Sequence, residues 1–251
     1  MTEVHKALNV PPVVLVTGAA RRVGASIVRE LHAAGWNVVI HANRSFEEAW
    51  ALAMTLNQER ANSAQALKAD LLDAAQIQAL AQAAQGCWGR LDAVVNNASS
   101  YYPTPIGSIT PEAFADLVGS NLRAPLLLTQ ACVPLIGDGA VVNIIDVHAR
   151  RPVRGYAAYS AAKAGLWTLT ESLALELAPR IRVNGVAPGH MLWPGDAQMN
   201  ELQKSAELAR VPMRRLGGGE EIARAVKFLL SKEAAYISGA VLPVDGGLRL
   251  A

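Results

Sequence analysis

Short runs of valine, isoleucine, leucine and alanine recur along the chain, separated by longer stretches of helical pattern. The runs are VVLVT at 13–17, NVVIHA at 37–42, AQALKAD at 64–70, DAVVNNA at 92–98, AVVNIID at 140–146 and IRVNGVA at 181–187, with AVLPVDGG beginning at 240. Their apolar residues follow one another instead of alternating with polar ones, so the strands they predict are covered on both faces. Strand and helix in that alternation predict an α/β fold: a single-domain, Rossmann-type, doubly wound parallel β-sheet with helices on both faces, spanning residues 1–251. Ligands of such sheets lie beyond the carboxyl ends of the strands. Attention therefore falls on residues 17–24, 41–45, 70, 96–102, 146 and 187–196. Prolines and glycines break any period in residues 188–218, which predicts the longest irregular excursion, a substrate loop.

Composition narrows the partners. A chain of 251 residues, 51% apolar and 5% aromatic, can bury one large core. A net charge of +2 is too mild for the basic stripe of a nucleic-acid binder, although Arg21, Arg22, Arg44, Arg150, Arg151 and Arg154 cluster locally. Small anions fit that pattern better than polymers. The two cysteines, Cys87 and Cys132, fall in predicted helices far apart in sequence and read as buried thiols, with no disulfide framework or metal site. The start, MTEVHKALNVPPVVLVTG, lacks the basic and long apolar regions of a signal peptide, and no later run approaches the ~18 apolar residues of a membrane span. The expectation is a cytoplasmic protein with no membrane partner.

VVLVTGAARRVGASIVREL is a strand, a glycine turn and a helix, the context in which a glycine motif is informative. Gly18 allows the tight turn. Gly24 lets the helix approach the strand and aims its first amides at a pyrophosphate. This spacing resembles the Thr-Gly-x-x-x-Gly-x-Gly of the short-chain dehydrogenase/reductase family, and the resemblance extends over nearly the full chain. Where that family usually has its middle glycine stands Arg22, able to reach phosphate or substrate oxygens. The second strand ends VVIHANRS with no acidic residue to accept from a ribose hydroxyl. Arg44 and Ser45, with His41 alongside, instead offer charge and a hydroxyl to an adenosine phosphate, which selects NADPH. Asp70 resembles the family's aspartate beside the adenine ring, and Asn97, Ala98 and Ser99 in NNAS resemble its turn after the fourth strand. Pro188 and Gly189 in APGHMLWPGD match its Pro-Gly, where the backbone approaches the nicotinamide amide. Trp193 either closes over the substrate or packs the loop.

Tyr159 and Lys163 in YSAAK are four residues apart, which stacks them on one helix face. A phenol is a poor acid–base group near neutrality, and a nearby ammonium with the oxidised nicotinamide is expected to lower its pKa. The resemblance makes Tyr159 the proton donor, Lys163 the residue that holds the ribose and tunes it, and Asn121 the end of a water relay. Thirteen residues before the tyrosine, where the family has a serine, stands Asp146. A carboxylate donates no hydrogen bond to a ketone unless protonated, whereas a carboxyl group coupled to a phenol can protonate a ring nitrogen. Use of Asp146 as a helix cap is set aside, since the next helix is expected some ten residues on.

Arg22, Asp146 and NNASSYYPTP together resemble the pteridine reductase branch of the family. There Tyr101 would stack on a pterin and Ser99 would touch both pterin and cofactor. Exposed loop aromatics or subunit contacts are the alternative for Tyr101 and Tyr102. The implied activity is NADPH-dependent reduction of dihydropterins or dihydrofolate, with carbonyl or 3-oxoacyl reduction as the rival. His148, Arg150, Arg151 and Arg154 are read as solvated loop charge, or as a site for an anionic substrate tail. Long helices at 111–135 and 157–178, apolar on more than one face, and the family resemblance imply a homotetramer.

Overall fold

The computed structural model describes residues 10–193 and 200–251. The first nine residues, and the end of the APGHMLWPGD motif from residue 194, lie outside the described residues. Seven strands are β1 (Val13–Val16), β2 (Asn37–Ala42), β3 (Ala64–Lys68), β4 (Leu91–Asn96), β5 (Ile136–Ile144), β6 (Ile181–Pro188) and β7 (Val241–Val244). They form one sheet in the order β3-β2-β1-β4-β5-β6-β7, and every neighbouring pair is parallel. The winding reverses between β1 and β4, so the crevice where ligands bind such sheets opens at their carboxyl ends.

Continuous apolar strands are explained by two cores. Val14 and Val16 point to one face, where they meet α1 (Arg22–Ala33), α2 (Phe46–Glu59) and α8 (Gly219–Leu230) through Ile27, Leu31, Leu52, Ile222 and Val226. Val13 and Leu15 point to the other. There they meet α3 (Ala74–Gly86), α5 (Ala124–Cys132) and α6 (Ala157–Leu177) through Ile77, Leu80, Leu128 and Leu173. Successive residues thus serve opposite cores, as the two-residue period of a strand requires. Among the described residues no helix is long and apolar enough to cross a membrane.

Several boundaries differ from the sequence expectation. The helix expected at 111–135 is α4 (Pro111–Val118), a π turn at Gly119–Arg123, then α5. Pro125 has no N–H for the carbonyl of residue 121, and its ring crowds that carbonyl, so the helix widens there. The excursion at 188–218 holds α7 (Glu201–Ala209), opened by a reciprocal capping box between Asn200 and Gln203. None of its residues is buried, so it leaves no apolar period in the sequence. β5 begins at Ile136, earlier than expected, and ends at Ile144, leaving Asp146 beyond the strand. Cys132 is buried, but Cys87, at the end of α3, is only half-buried; both are free thiols.

A buried polar ladder ties the sheet to α6. Asn96 Nδ2 donates to Asn143 Oδ1 at 2.8 Å, and Asn143 Nδ2 donates to Thr170 Oγ1 at 2.9 Å. All three residues are buried. Replacing the middle member, Asn143→Leu, leaves the Asn96 amide with only its 3.3 Å bond to Thr129 Oγ1 and is expected to cost about 1–3 kcal/mol. Urea denaturation reads this as a lower midpoint at unchanged slope. A shift worth less than about 0.5 kcal/mol would show that the ladder does not contribute.

Candidate active site

The turns after β1 and β4 are locked together at the point where the winding reverses. Buried Thr17 accepts at Oγ1 from the amides of Asn97 (2.9 Å) and Ala98 (3.0 Å). Asn97 Nδ2 in return donates to the carbonyls of Thr17 (2.9 Å) and Gly18 (3.0 Å). Gly18 has φ +59°, and a Cβ there would lie 2.8 Å from the Ala98 Cα. A Cβ on Gly24 would lie 2.5 Å from the Gly18 carbonyl oxygen. Neither position admits a side chain, because the chain's own backbone already fills that space and the two turns close on each other. Arg22 stands at φ +52°, left-handed backbone that favours glycine. Its guanidinium donates to the Trp193 carbonyl at 3.3 Å, joining the glycine turn to the segment after β6.

Beside the ends of β1 and β2 opens a cleft of about 120 Å³ lined by Gly18, Ala20, Arg21, Ala42, Asn43, Arg44 and Ser45. Arg44 is exposed. Ser45 precedes α2, yet its hydroxyl makes no capping hydrogen bond and stays available to a ligand. Arg21, which the sequence reading did not single out for the cofactor, lines the same cleft and pairs with Glu48. The expected place of His41 beside the phosphate needs correction. Its ring is buried, Nδ1 accepts from the Gly18 amide at 3.3 Å, and Nε2 donates to the Ala69 carbonyl at 3.1 Å. Burial lowers its pKa to about 4, so it stays neutral and fixes the glycine turn instead of meeting an anion. Asp70 accepts from the Leu72 amide at 2.9 Å and shapes the turn after β3. The Gly189 amide donates to the Val244 carbonyl at 3.0 Å, anchoring Pro188–Gly189 to β7.

At the chemical end, Tyr159 on the first turn of α6 donates to Asp146 Oδ2 at 2.7 Å. Asp146 Oδ1 accepts from the His148 amide at 2.8 Å and caps the short 3₁₀ turn Val147–Ala149. The capping role set aside from the sequence is therefore real; one oxygen caps while the other faces the phenol. Lys163, one helical turn on, is buried, donates to the Ile144 carbonyl at 2.9 Å and lies 5.8 Å from the Tyr159 ring centre. Burial lowers its pKa to about 8, against the pull of the Asp146 charge. The tyrosine moves opposite to expectation. Burial first, then the Asp146 charge and hydrogen bond, push its pKa well above 10. A carboxylate that accepts the phenol proton favours the protonated form, which suits a donor.

Asn121 lies in the π turn with its side chain fully committed. It accepts from Ser99 Oγ at 2.7 Å and donates to the carbonyls of Ser100 (2.9 Å) and Leu117 (3.0 Å). Tyr101 is half-exposed and stacks on Tyr156, ring centres 4.8 Å apart and planes 16° apart, with its edge arrangement to Tyr159 at 4.9 Å. Tyr156 was not anticipated, because a contact across 55 residues leaves no local pattern. Tyr102 is half-buried, not a free loop aromatic, and its hydroxyl donates to Asp116 Oδ2 at 2.9 Å. His148 faces His190 with ring centres 6.3 Å apart. Arg150 lies 4.1 Å over the Trp167 ring, and Arg151 donates to the Ala251 carbonyl.

A family model described as enoyl-(acyl carrier protein) reductase matches residues 18–249. The chain is 40% identical to pteridine reductase 1 of Leishmania tarentolae, over 95% of this chain and 96% of that one. It is 33% identical to a 3-oxoacyl-(acyl-carrier-protein) reductase of Staphylococcus aureus, over 94% of this chain and 97% of that one. A 3beta-hydroxysteroid dehydrogenase 1 of Eggerthella lenta is 34% identical, over 94% and 93%.

The neutral state of His41 makes stability depend on pH. With a pKa of about 4 in the fold against 6.5 when unfolded, its contribution is complete above pH 6.5 and is lost as pH falls toward 4. Acid protonates the unfolded chain first. The stability difference between the parent protein and His41→Gln is expected to shrink by about 3 kcal/mol between pH 7 and pH 4. Denaturant melts across that range test this, and a difference constant with pH would rule His41 out as the group responsible.

Proposed function

The chain belongs to the short-chain dehydrogenase/reductase family, and we propose that within it the chain acts as a pteridine reductase, reducing dihydropterins, dihydrofolate or both with NADPH. The observation that carries this reading is the 2.7 Å hydrogen bond from Tyr159 to Asp146, at the position where the family ordinarily has a serine. A serine hydroxyl suits a carbonyl oxygen, whereas a phenol–carboxyl pair suits delivery of a proton to nitrogen.

The residues fit a dinucleotide phosphate. Gly18 and Gly24 leave no room for side chains, Ser45 keeps a free hydroxyl, and Arg44 and Arg21 flank the adenosine cleft. In this reading one NADPH-binding domain holds the cofactor through Gly18, Gly24, Arg21, Arg22, Arg44, Ser45, Asp70, Asn97, Ala98, Ser99, Lys163, Pro188 and Gly189. His41 acts through the turn it braces. When bound, the reduced nicotinamide supplies a hydride to a carbon–nitrogen double bond of the substrate. Tyr101, Ser99 and Arg22 orient the bicyclic ring, and Tyr159 protonates its nitrogen.

Proton balance sets the role of Asp146. A phenolate beside an ionised Asp146 would place two anions in contact away from water, which is costly. Tyr159 therefore keeps its proton until the substrate nitrogen takes it, with the Asp146 carboxylate orienting the phenol. The proton is replaced from solvent through Lys163, one helical turn away, whose pKa is lowered to about 8 by burial. Turnover accordingly falls as pH rises through about 8, where Lys163 loses its proton.

Assembly as a homotetramer belongs to the same reading. Phe114 on α4, Leu126 on α5 and Leu175 on α6 remain exposed and suit contact with another copy. Free Cys87 and Cys132 fit a reducing cytoplasm.

NADPH consumption with dihydrobiopterin and dihydrofolate, run beside a 3-oxoester, tests the proposal. Asp146→Ser is expected to lower pterin turnover by about 10²-fold or more. Turnover only on the oxoester, undiminished by the serine, would identify a 3-oxoacyl reductase instead.

A further inference from the structure

Arg21 and Glu48 come from different elements and meet at the rim of the adenosine cleft. Arg21 ends the glycine turn and lines the cleft, while Glu48 lies in the first turn of α2, three residues after Ser45. Their ion pair is partly exposed, with side chains 60% and 43% accessible, so it breaks and reforms without burying a bare charge. Two cations and a free hydroxyl thus surround a small cleft, and one of those cations already has an anion. Glu48 also sits where the N-terminal end of α2 favours negative charge, which keeps it ionised and in place when it loses its partner.

We propose that Glu48 is an exchangeable internal counterion that competes with the cofactor's adenosine phosphate for Arg21. This rests on the NADPH reading and adds a selectivity and release element to it. A phosphate monoester brings a charge of about −1.5 to −2 and pairs bidentately with a guanidinium. To use Arg21 it must displace the Glu48 carboxylate, which then faces it as a like charge. NADH carries no such phosphate, leaves the pair intact and feels Glu48 little. Glu48 therefore weakens NADPH alone, and it recaptures Arg21 as the spent cofactor departs.

Binding titrations by nicotinamide fluorescence, which need no substrate, separate the possibilities. Glu48→Gln keeps the shape of the side chain and removes its charge. It is expected to tighten NADPH about fivefold and to leave NADH unchanged, the size of an exposed ion pair. In an Arg21→Gln background the same substitution is expected to have no more than a small effect, since the contested group is gone. Weaker NADPH binding in Glu48→Gln would overturn the proposal and make Glu48 a residue that positions Arg21 for the phosphate. Unchanged NADPH binding, or equal tightening of both cofactors, would overturn it as well. Equal affinity of the parent protein for NADPH and NADH is a different result: it would remove the NADPH reading itself, and the proposal with it.

Discussion

The mutual lock of the turns after β1 and β4 is the constraint on which the site depends. Parallel strands end with unpaired backbone groups, and where the winding reverses two such ends face each other across the crevice. Thr17 and Asn97 satisfy them reciprocally with four hydrogen bonds of 2.9–3.0 Å. That pairing brings Gly18 so close to Ala98 that no side chain fits between them. His41 braces the same turn from beneath and is kept neutral by burial. A charged histidine in that place would carry an unpaired buried charge at the base of a cleft meant for anions. The cations that face the cleft, Arg21 and Arg44, stand instead at its rim, where water screens them until a ligand arrives.

Chemistry is separated from that platform by the polar ladder through Asn96, Asn143 and Thr170, which fixes β4, β5 and α6 relative to one another. α6 carries Tyr159 and Lys163, and the loop beyond β5 carries Asp146, so the ladder holds both sides of the Tyr159–Asp146 hydrogen bond. The environment divides the two basic groups in opposite directions. Desolvation raises the phenol and lowers the ammonium, and Asp146 opposes the second shift while reinforcing the first. The result is a phenol that keeps its proton beside an amine with pKa about 8.

The inner strands were legible because a sheet buried on both faces needs continuous apolar runs, whereas the edge strands β3 and β7, partly exposed, were legible from their place in the strand–helix alternation. α7 was not, because it buries none of its residues and is held by its own cap. The π turn left only an indirect trace in Pro125, whose effect falls four residues upstream on Asn121. Site residues were legible where a role needs a residue type at a fixed spacing, as with Tyr159 and Lys163 on one helix face. They were misread where sequence neighbours diverge in space. His41 ends a buried strand while Arg44, three residues later, is in solvent. Asp146 was treated as either a cap or a chemical group, although a carboxylate has two oxygens and the fold uses one for each.

Tyr101 shows how far packing settles what composition leaves open. An aromatic loop residue with no support would lose side-chain entropy on stacking with a ligand. Here Tyr156 already lies against one face at 4.8 Å, too close to admit another ring between them, and Tyr159 meets it edge-on. Tyr102, tied to Asp116 and packed near Leu117 and Tyr159, holds the same loop from its other side. The plane of Tyr101 is therefore set before anything binds, and half of the residue remains open. A flat ring laid on the exposed part of Tyr101 would gain stacking without the ordering cost, and the edge-on ring beside it is Tyr159, whose hydroxyl meets Asp146. The plane of Tyr101 and the position of the Tyr159 hydroxyl are thus fixed by one aromatic cluster.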